Sequence, residues 1–524
     1  MSIDPQATLL PALELMAALF IVVIGLVALW VVYALIADLS QTKQAIRRNY
    51  PVIGRFRSLF ERLGEFFRQY FFAMDREELP FNRAQRHWVD RAAKDEDNTV
   101  AFGSTRNISL PGQILFVNCP FPTLGEDAVP PQPQPLTIGL DARHPYTTAS
   151  LFNISGMSYG AISRPALQAL GAGAARAGCW LNTGEGGLSP LHLESGADLV
   201  FQIGTAKNGV RDLEGRLCDA RLRAVAAHPQ VRMFEIKLSQ GAKPGKGGIL
   251  PAAKVTPEIA AIRGIPVGVE AISPNRHRDV GNTADLLDLI ARVRAVTGKP
   301  VGFKMVLGAY GWLDELCESI WTRGLDAAPD FITVDGAEGG TGAAPMPLID
   351  DMGLPLRESL PLLVDRLSTY GLRERIRVIA SGKLITPADV AWALCIGADF
   401  VCSARGFMFA LGCIQALKCN KNTCLTGITT HDPRLQKGLH PPTKAARVAA
   451  YVKNITHEVG LIAHTCGVHS PRELRRFHAR VVQPNGRSLA LDALYPPPEP
   501  QAPPGALATA RRHSPHGALE SATG

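Results

Sequence analysis

The chain has 524 residues, of which 46% are hydrophobic and 19% are charged, and its formal net charge is +8. These proportions exclude a disordered chain and a protein with many membrane spans, and they fit a globular α/β enzyme with one apolar segment. The ten cysteines are too sparse for a disulfide-stabilised scaffold of this length.

The first predicted element is an apolar segment near the N-terminus. Residues Leu15–Ala37 are 23 consecutive uncharged residues, which is long enough for a helix to cross a bilayer. A cleavable signal peptide is the alternative, but such peptides begin with basic residues, whereas Asp4 and Glu14 precede this segment. We therefore predict an uncleaved, single-pass anchor in the inner (cytoplasmic) membrane, with the N-terminus outside and the catalytic domain in the cytoplasm.

Much of the positive charge follows this segment directly. Between Lys43 and Lys94 there are 12 Lys and Arg against 6 Asp and Glu. Basic residues beside a span mark its cytoplasmic flank, so we predict contact with the membrane and no nucleic-acid partner. The predicted domains are the anchor (1–40), a connector with a helical extension (41–145), a barrel domain (146–480) and a Pro-rich disordered tail (481–524).

The middle of the chain alternates between short apolar runs, which end in loops rich in Gly, Ser or Thr, and helical stretches. The eight runs are 152–160, 179–187, 200–205, 232–241, 300–308, 331–340, 377–383 and 400–406. The predicted helices between them include Pro165–Ala177, Thr283–Val296, Leu313–Arg323 and Pro387–Ile396. Eight such units predict a (β/α)8 TIM barrel of the α/β class. An open doubly wound sheet is the rival, but no G-x-G-x-x-G motif follows the first strand.

The last two predicted strand ends combine small residues with cations. Ser381, Gly382 and Lys383 follow the seventh strand, and Ala404 and Arg405 follow the eighth. Because the C-terminal ends of barrel strands carry the chemistry of this fold, the pattern favours a phosphate site. The alternative is that glycine and serine only form turns there.

Other cations also lie at or within predicted strands. Lys237, Lys243 and Lys246 cluster near one strand end, with Arg263 beyond. They are either solvated surface charges or part of a loop that closes over an anion, and a dicarboxylate would suit such a loop. Lys304 instead interrupts an apolar strand, where an unpaired ammonium is costly. It must pair with a carboxylate or donate to a cofactor carbonyl, such as the N1/O2 edge of a flavin.

Three cysteines form a C-x5-C-x4-C cluster, namely Cys413, Cys419 and Cys424. Three thiolates without a fourth ligand fit a [3Fe–4S] cluster. Zinc is an alternative, because His431 lies near enough in sequence to supply a fourth ligand. A zinc-stabilised, catalytically silent scaffold is therefore a second class of function, and a coincidental grouping is the third interpretation.

Taken in order, the motifs resemble those of the FMN-binding synthase domain of glutamate synthase, in particular its short stand-alone versions. The resemblance covers about residues 150–470. Its parts are SGMSYGAIS (155–163), NTGEGG (182–187), KLSQGAKPGKGG (237–248), GGTGAAP (339–345) and the cysteine cluster.

The resemblance implies an FMN-bearing barrel with a [3Fe–4S] cluster beside the flavin. Electrons would enter through the cluster and reduce FMN, and the imine formed from ammonia and 2-oxoglutarate would be reduced to L-glutamate. No cysteine nucleophile stands directly after Met1, and the sequence has no nicotinamide-binding fingerprint. We therefore expect free ammonia or a glutaminase partner as the nitrogen source, and an external electron donor.

The resemblance also assigns roles to individual residues. Glu185, Lys237 and Gln240 would be catalytic, and Gln240, Lys243 and Arg263 would bind the substrate. Cys413, Cys419 and Cys424 would hold the cluster. The FMN-binding residues would be Ser155, Gly156, Met157, Ser158, Lys304, Gly339, Gly340, Ser381, Gly382, Lys383, Ala404 and Arg405.

Three positions depart from the family's pattern. Lys246 stands where the family usually has Glu, Ile249 where it has Gln, and Ala284 where it has an acidic residue associated with ammonia delivery. These departures leave a second hypothesis open, in which the barrel keeps its flavin and cluster but acts on another amino or 2-oxo acid at the membrane.

Overall fold

The structure is a computed structural model, which describes residues 5–41, 45–67, 74–128, 133–309 and 311–499. The chain divides into two compact units, Met1–Ala84 and Gln85–Gly524. The first unit contains α1 (Pro5–Ser40), α2 (Ala45–Asn49) and α3 (Ile53–Phe67). Among the described residues, Leu13–Ser40 is the one helix long and apolar enough to cross a membrane. A signal sequence near the N-terminus would pass the same test, so the anchor stays a prediction.

The segment before the barrel forms one helix and three short strands. They are α4 (Arg83–Ala93), β1 (Ile114–Phe116), β2 (Leu136–Ile138) and β3 (Tyr146–Thr148). Trp88 of α4 donates its indole N–H to Glu458 at 3.2 Å and packs edge-on against Tyr451. These contacts fix α4 against the C-terminal part of the chain.

Eight parallel strands close into a barrel. The strands between residues 152 and 403 are β4 (Phe152–Ile154), β5 (Leu181–Asn182), β6 (Leu199–Ile203), β7 (Val231–Lys237), β8 (Ile249–Leu250), β9 (Ala271–Ile272), β10 (Val301–Met305), β11 (Phe331–Asp335), β12 (Arg377–Ser381) and β13 (Phe400–Ser403). β8 and β9 form a separate antiparallel hairpin, and β7 pairs with β10 while β13 pairs with β4. Every predicted run supplies one barrel strand, so the predicted TIM barrel is confirmed and the open-sheet alternative is wrong.

The helices between the barrel strands begin and end close to the predicted residues. The predicted α13 (Pro387–Ile396) is found with the same bounds, because a capping box of Thr386 and Asp389 starts it. The remaining helices are α5 (Arg164–Ala177), α6 (Pro190–Glu194), α7 (Asp219–Ala226), α8 (Pro257–Arg263), α9 (Thr283–Thr297), α10 (Gly311–Arg323), α11 (Met346–Asp350), α12 (Leu356–Thr369), α14 (Arg405–Leu411), α15 (Pro433–Gln436), α16 (Pro441–Thr465) and α17 (Leu491–Leu494). The described residues also form 3₁₀ turns at Gly184–Gly186, Ala252–Lys254, Leu325–Ala327, Pro471–Glu473 and Arg476–His478.

The β2–β3 hairpin closes the N-terminal end of the barrel. Ile138 and Tyr146 of the hairpin are buried in one cluster with Met233, Phe331 and Phe400, which lie at the starts of barrel strands. This end is filled with apolar side chains, so the site must lie at the opposite, C-terminal ends of the strands.

The C-terminal segment returns to the start of the chain. β14 (Ala479–Val482) pairs antiparallel with β1 and with β15 (Ser488–Ala490). Residues 481–494 therefore belong to the ordered unit, whereas the sequence had assigned them to the Pro-rich tail. The pairing was missed because β1 and β14 lie more than 360 positions apart. The rest of the predicted tail, from residue 500, lies outside the described residues.

Candidate active site at the C-terminal end of the barrel

The floor of the site is a buried hydrogen-bond network around one carboxylate. Glu235 of β7 accepts from Asn182 at 2.8 Å and Gln202 at 2.7 Å through one oxygen, and from Thr333 at 2.6 Å through the other. All four side chains lie on barrel strands and are buried. A satisfied network of this kind holds a rigid polar surface beneath whatever binds above it.

Lys304 does pair with a carboxylate, as one of the two sequence interpretations required. Its ammonium lies 3.2 Å from Asp335 at the end of β11. Burial is the largest influence and would lower the pKa of Lys304, but the charges of Asp335 and Glu235 and the hydrogen bond to Asp335 together raise it. Burial likewise opposes ionisation of Asp335, and Lys304 with the N–H of Gly241 keeps its pKa below the usual range. Both groups are therefore charged, and the cation is fixed at the mouth of the barrel.

A second ion pair brings together the three residues predicted to be catalytic. Lys237 at the end of β7 lies 2.9 Å from Glu185, which follows β5 in the Gly184–Gly186 turn. The same ammonium donates to Gln240 at 2.5 Å, and the Gln240 amide donates to the carbonyl of Gly340 at 3.0 Å. Burial raises the pKa of Glu185, but Lys237, together with the charges of Lys243 and Arg263, makes the net shift of this pKa downward.

Two glycines let the chain approach Glu185 closely. A Cβ added at Gly204 would lie 2.5 Å from the Glu185 Cβ, and one added at Gly248 would lie 2.3 Å from its Oε1. Side chains at either position would displace the carboxylate. Gly204 and Gly248 thus leave the space that the Glu185 side chain occupies.

Two further cations face the same carboxylate. Arg263 at the end of α8 is buried and donates through Nη2 to the carbonyl of Tyr159 at 2.9 Å. Its Nε is buried without a hydrogen-bond partner in the described part of the chain. Burial, followed by repulsion from Lys237, lowers the pKa of Lys243 to about 8, whereas Glu185 raises it. An anion at this point would satisfy both cations.

The predicted flavin-ring loop, residues 155–158, passes directly over the polar floor. Ser155 donates its backbone N–H to Ser403 on the neighbouring strand at 3.0 Å. A Cβ added at Gly156 would lie 2.9 Å from the side-chain oxygen of Asn182. Met157 is buried and Ser158 is half-buried. A side chain at position 156 would collide with the polar floor, so glycine lets the loop backbone lie directly against Asn182 and Gln202.

The residues predicted to bind phosphate come together beside this loop. Burial and the charge of Arg405 lower the pKa of Lys383, and burial lowers that of Arg405 to about 10. Arg405 donates to the carbonyl of Glu338 at 2.7 Å, and a Cβ added at Gly340 would lie 2.9 Å from its Nε. Gly339 is equally confined, since its added Cβ would meet Gly241 at 2.9 Å. Ser381, Gly382 and Ala404 border the two cations in the chain.

The three clustered cysteines lie on the loop after α14. Burial raises the pKa of the Cys413 thiol, and the charges of Cys419 and Cys424 raise it further. Hydrogen bonds from the Thr426 and Thr429 hydroxyls lower the pKa of Cys424 against the effect of burial. No group of three His, Cys, Asp or Glu among the described residues converges on a single ion. His431 does not complete one, because its Nε2 lies 2.9 Å from the carbonyl of Gly160.

A buried lysine that sequence reasoning missed joins the cysteine loop to the loop of residues 155–163. Lys254 is 2% exposed and donates to the carbonyl of Cys419 at 2.7 Å and to that of Ala161 at 3.1 Å. Its place in a 3₁₀ turn after the β8 strand gave no signal in the sequence. The acids Asp335 and Glu235 were also missed, although each ends or interrupts an apolar strand much as Lys304 does.

A comparison with known protein families identifies the family of this chain. A profile of the conserved region in glutamate synthase matches residues 131–469, more than half of the chain. This chain belongs to the glutamate synthase family. The family predicted from the motifs is thereby confirmed.

Two relatives match this chain over different shares of their own length. The glutamate synthase large subunit-like protein YerD of Bacillus subtilis is 38% identical over 517 residues, which are 91% of this chain and 98% of the relative. The archaeal glutamate synthase [NADPH] of Methanocaldococcus jannaschii is 38% identical over 325 residues. That match covers 62% of this chain, which spans only 60% of the archaeal protein.

Solved structures give only a distant likeness to this family member. Mandelate oxidase with (S)-2-phenylpropionate matches with a TM-score of 0.43 and 15% sequence identity, over 76% of this chain and 98% of the oxidase. No conclusion about the chemistry of this chain follows from a likeness at that level.

Proposed function

We propose that this protein is a glutamate synthase-type oxidoreductase that reductively aminates 2-oxoglutarate with ammonia to give L-glutamate. The observation that carries the proposal is the set of cations Lys237, Lys243 and Arg263 around the single carboxylate of Glu185. Membership of the glutamate synthase family supports it.

The charge balance of the site suits a dicarboxylate. Lys237 is engaged with Glu185 and Gln240, which leaves Lys243 and the unsatisfied Nε of Arg263 for the substrate. A buried donor without an acceptor is costly unless a ligand supplies one. We assign one substrate carboxylate to Arg263 and Lys243.

The Lys237–Glu185 pair suits the proton transfers of imine formation. Condensation of ammonia with a ketone expels water, which requires a proton donor for the leaving oxygen and an acceptor for the protons of the nitrogen. The ammonium of Lys237 is the proposed proton donor, and Glu185, 2.9 Å away, is the proposed proton acceptor. Gln240 holds the ammonium between them.

The residues around the barrel mouth fit FMN. Lys383 and Arg405 are two close cations that a phosphate would neutralise, and the glycines at 156, 339 and 340 let the backbone pack closely around them and the polar floor. When bound, FMN supplies the two-electron transfer that converts imine to amine. Lys304, held by Asp335, would supply a fixed positive charge to the N1/O2 edge of such a flavin.

The cysteine loop fits an iron–sulfur cluster. Such clusters are held by cysteine thiolates. The three thiols lie near enough to influence one another electrostatically. Cys413, Cys419 and Cys424 would hold a [3Fe–4S] cluster, which passes electrons from an external donor. Ammonia would come from solution or from a glutaminase partner.

The N-terminal helix supports a membrane location. Its apolar window is fully exposed in the structure, which sets it apart from the core helix of a soluble protein. Basic residues follow it in the chain. We assign it to a single-pass anchor of the inner membrane, with the barrel on the cytoplasmic side.

A second candidate is the same chemistry on another amino or 2-oxo acid. Ile249 lies on β8 next to Gly248, which touches Glu185, and the charge of Lys246 lowers the pKa of Lys243 further. Two of the three departures therefore lie beside the substrate site. Ala284 lies in the first turn of α9.

Product analysis under anaerobic conditions tests the proposal and separates it from the second candidate. The purified protein, with FMN bound, receives ¹⁵N-ammonium, a low-potential reductant and either 2-oxoglutarate or another oxo acid. We expect ¹⁵N-glutamate from 2-oxoglutarate. Labelled product from a different oxo acid alone would establish the second candidate, and a colourless protein with zinc would refute both.

A further inference from the structure

Helix α3 of the N-terminal unit is amphipathic, with an apolar stripe that the described part of this unit does not cover. Ile53, Phe56, Phe60 and Leu63 recur at spacings of three and four residues, which places them on one face. All four are exposed, Ile53 at 72% and Phe60 at 67%. A contiguous stripe of large apolar side chains marks a binding surface.

A buried ion pair holds the start of α3 beside the end of α1. Arg55 donates through Nε to Asp38 at 2.8 Å, and the backbone N–H of Val52 donates to the same oxygen at 3.0 Å. Asp38 is 1% exposed. The guanidinium of Arg55 also lies over the ring of Trp30, 5.9 Å from its centroid. The end of α1 and the start of α3 are therefore held together as a corner.

The short helix α2 completes this corner. A Cβ added at Gly54 would lie 3.0 Å from the carbonyl of Ile46 and 3.1 Å from the Cα of Arg47. Glycine at this position lets α2 cross α3 at backbone distance. A larger residue would separate the two helices.

The corner carries a concentrated positive charge. Residues 45–57 contain four arginines and no acidic residue. They are Arg47, Arg48, Arg55 and Arg57. Arginine forms bidentate hydrogen bonds to phosphate, and a basic cluster beside an apolar stripe is typical of helices that lie on anionic membranes.

We propose that α2 and α3 form an interfacial element that binds the surface of an anionic phospholipid bilayer. The stripe of α3 lies in the boundary between headgroups and acyl chains, and Arg48 and Arg57 contact lipid phosphates. The inference rests on the anchor proposed above, because Asp38 lies at headgroup depth only if α1 crosses the membrane. Arg55 then holds the start of α3 at that depth. With only 15 residues and with Arg55 and Arg57 within it, α3 lies in the plane of the membrane and does not cross it.

Site-specific quenching in membranes tests the proposal with the full chain. The protein is reconstituted into vesicles of phosphatidylcholine and phosphatidylglycerol, with an environment-sensitive fluorescent amino acid in place of Phe60. Matched preparations carry it in place of Leu26, within α1, or of Leu213, which is 98% exposed in the other unit. Each is titrated with aqueous iodide and with lipids that carry a spin label near the headgroup or deep in the chain.

Each result has one meaning. We expect the probe at 60 to be quenched most by the shallow label, the probe at 26 by the deep label and the probe at 213 by iodide. The proposal is wrong if the probe at 60 is quenched by iodide like the probe at 213, or if protein shields it from both lipid and iodide. Neither result would contradict the membrane-spanning anchor. If the probe at 26 is also open to iodide, the anchor itself fails.

The role of the arginines is tested by charge. In the double variant Arg48→Gln/Arg57→Gln, shallow quenching at position 60 should fall, and it should fall equally for the unchanged chain when phosphatidylglycerol is omitted or salt is raised. The control Arg216→Gln/Arg434→Gln removes the same charge from exposed positions of the barrel unit and should have no effect. Quenching at position 60 that depends neither on lipid charge nor on the arginines would contradict binding to anionic lipid.

Discussion

Lys237 and Glu185 form an ion pair of 2.9 Å between the ends of two barrel strands. The lysine ammonium also holds Gln240, whose amide reaches the backbone of Gly340. The pair therefore links the proposed substrate site to the proposed flavin site. Its integrity is the first feature that mutation should probe.

Glu185→Gln keeps the shape of the side chain and removes its charge. Since proton transfer by a positioned side chain contributes about 10²–10⁴-fold, we expect kcat for glutamate formation to fall at least about 100-fold. Flavin content should be unchanged. The exposed Glu194 provides the matched control Glu194→Gln, which should retain full activity. An active Glu185→Gln enzyme would remove Glu185 from the mechanism.

Lys243 should impose a pH dependence on substrate binding. Its pKa is about 8, so the ammonium is charged below that pH and attracts a carboxylate, and this attraction is lost as pH rises through 8. We expect KM for 2-oxoglutarate to rise above pH 8. Lys243→Met should raise KM about 10- to 100-fold at pH 7, through loss of a charged hydrogen bond. In Lys243→Arg the rise in KM above pH 8 should disappear. If KM still rises above pH 8 in this variant, a group other than Lys243 causes the rise.

Arg405 and Lys383 should hold the flavin phosphate. A charge-assisted hydrogen bond contributes about 1.5–3 kcal/mol, so Lys383→Gln and Arg405→Gln should each weaken FMN binding about 10- to 100-fold in a fluorescence titration of the apoprotein. The fully accessible Arg434, whose partner is Asp432, gives the neutral control Arg434→Gln. Unchanged affinity in both variants would place the phosphate elsewhere.

Cys419→Ser should abolish the absorbance of the iron–sulfur cluster and electron entry, because serine does not replace a thiolate ligand. Iron analysis of protein purified without oxygen provides the measurement. Cys218→Ser is the control, since Cys218 lies at the start of α7, away from the cluster loop in the chain. Full iron content in Cys419→Ser would refute the ligand assignment.

Lys254→Met should loosen the cysteine loop. The substitution leaves the carbonyls of Cys419 and Ala161 without their donor, at a cost of about 1–3 kcal/mol in unfolding free energy. Iron should be lost faster to a chelator, which a purely local change of stability elsewhere would not cause. Equal iron-release rates in the variant and the unchanged protein would contradict the role of Lys254 as a brace.

Much of the barrel could be predicted because its signals are local. Each strand is a short apolar run that ends in a loop, and helices such as α13 begin at a capping residue visible in the sequence. Lys304 could be identified as a buried cation, but its partner could not. Asp335 lies 31 positions away, and only the closure of the barrel sets the two side by side.

Long-range pairings account for most of what sequence reasoning missed. The β1–β14 pairing joins distant parts of the chain, so residues 481–494 looked like the start of a tail. Lys254 bonds to backbone carbonyls, which have no sequence signature. The Glu235 network depends on three neighbouring strands at once, and no periodicity within one strand reveals it.

Reoxidation of the reduced flavoprotein by its substrates tests the proposed glutamate synthesis. The protein is reduced without oxygen, and its visible spectrum is followed as 2-oxoglutarate and ammonium are added singly and together. We expect a flavin and iron–sulfur spectrum that stays bleached with either compound alone and returns only with both, in step with glutamate formation. A spectrum that is indifferent to the pair, or that shows no flavin, would contradict it.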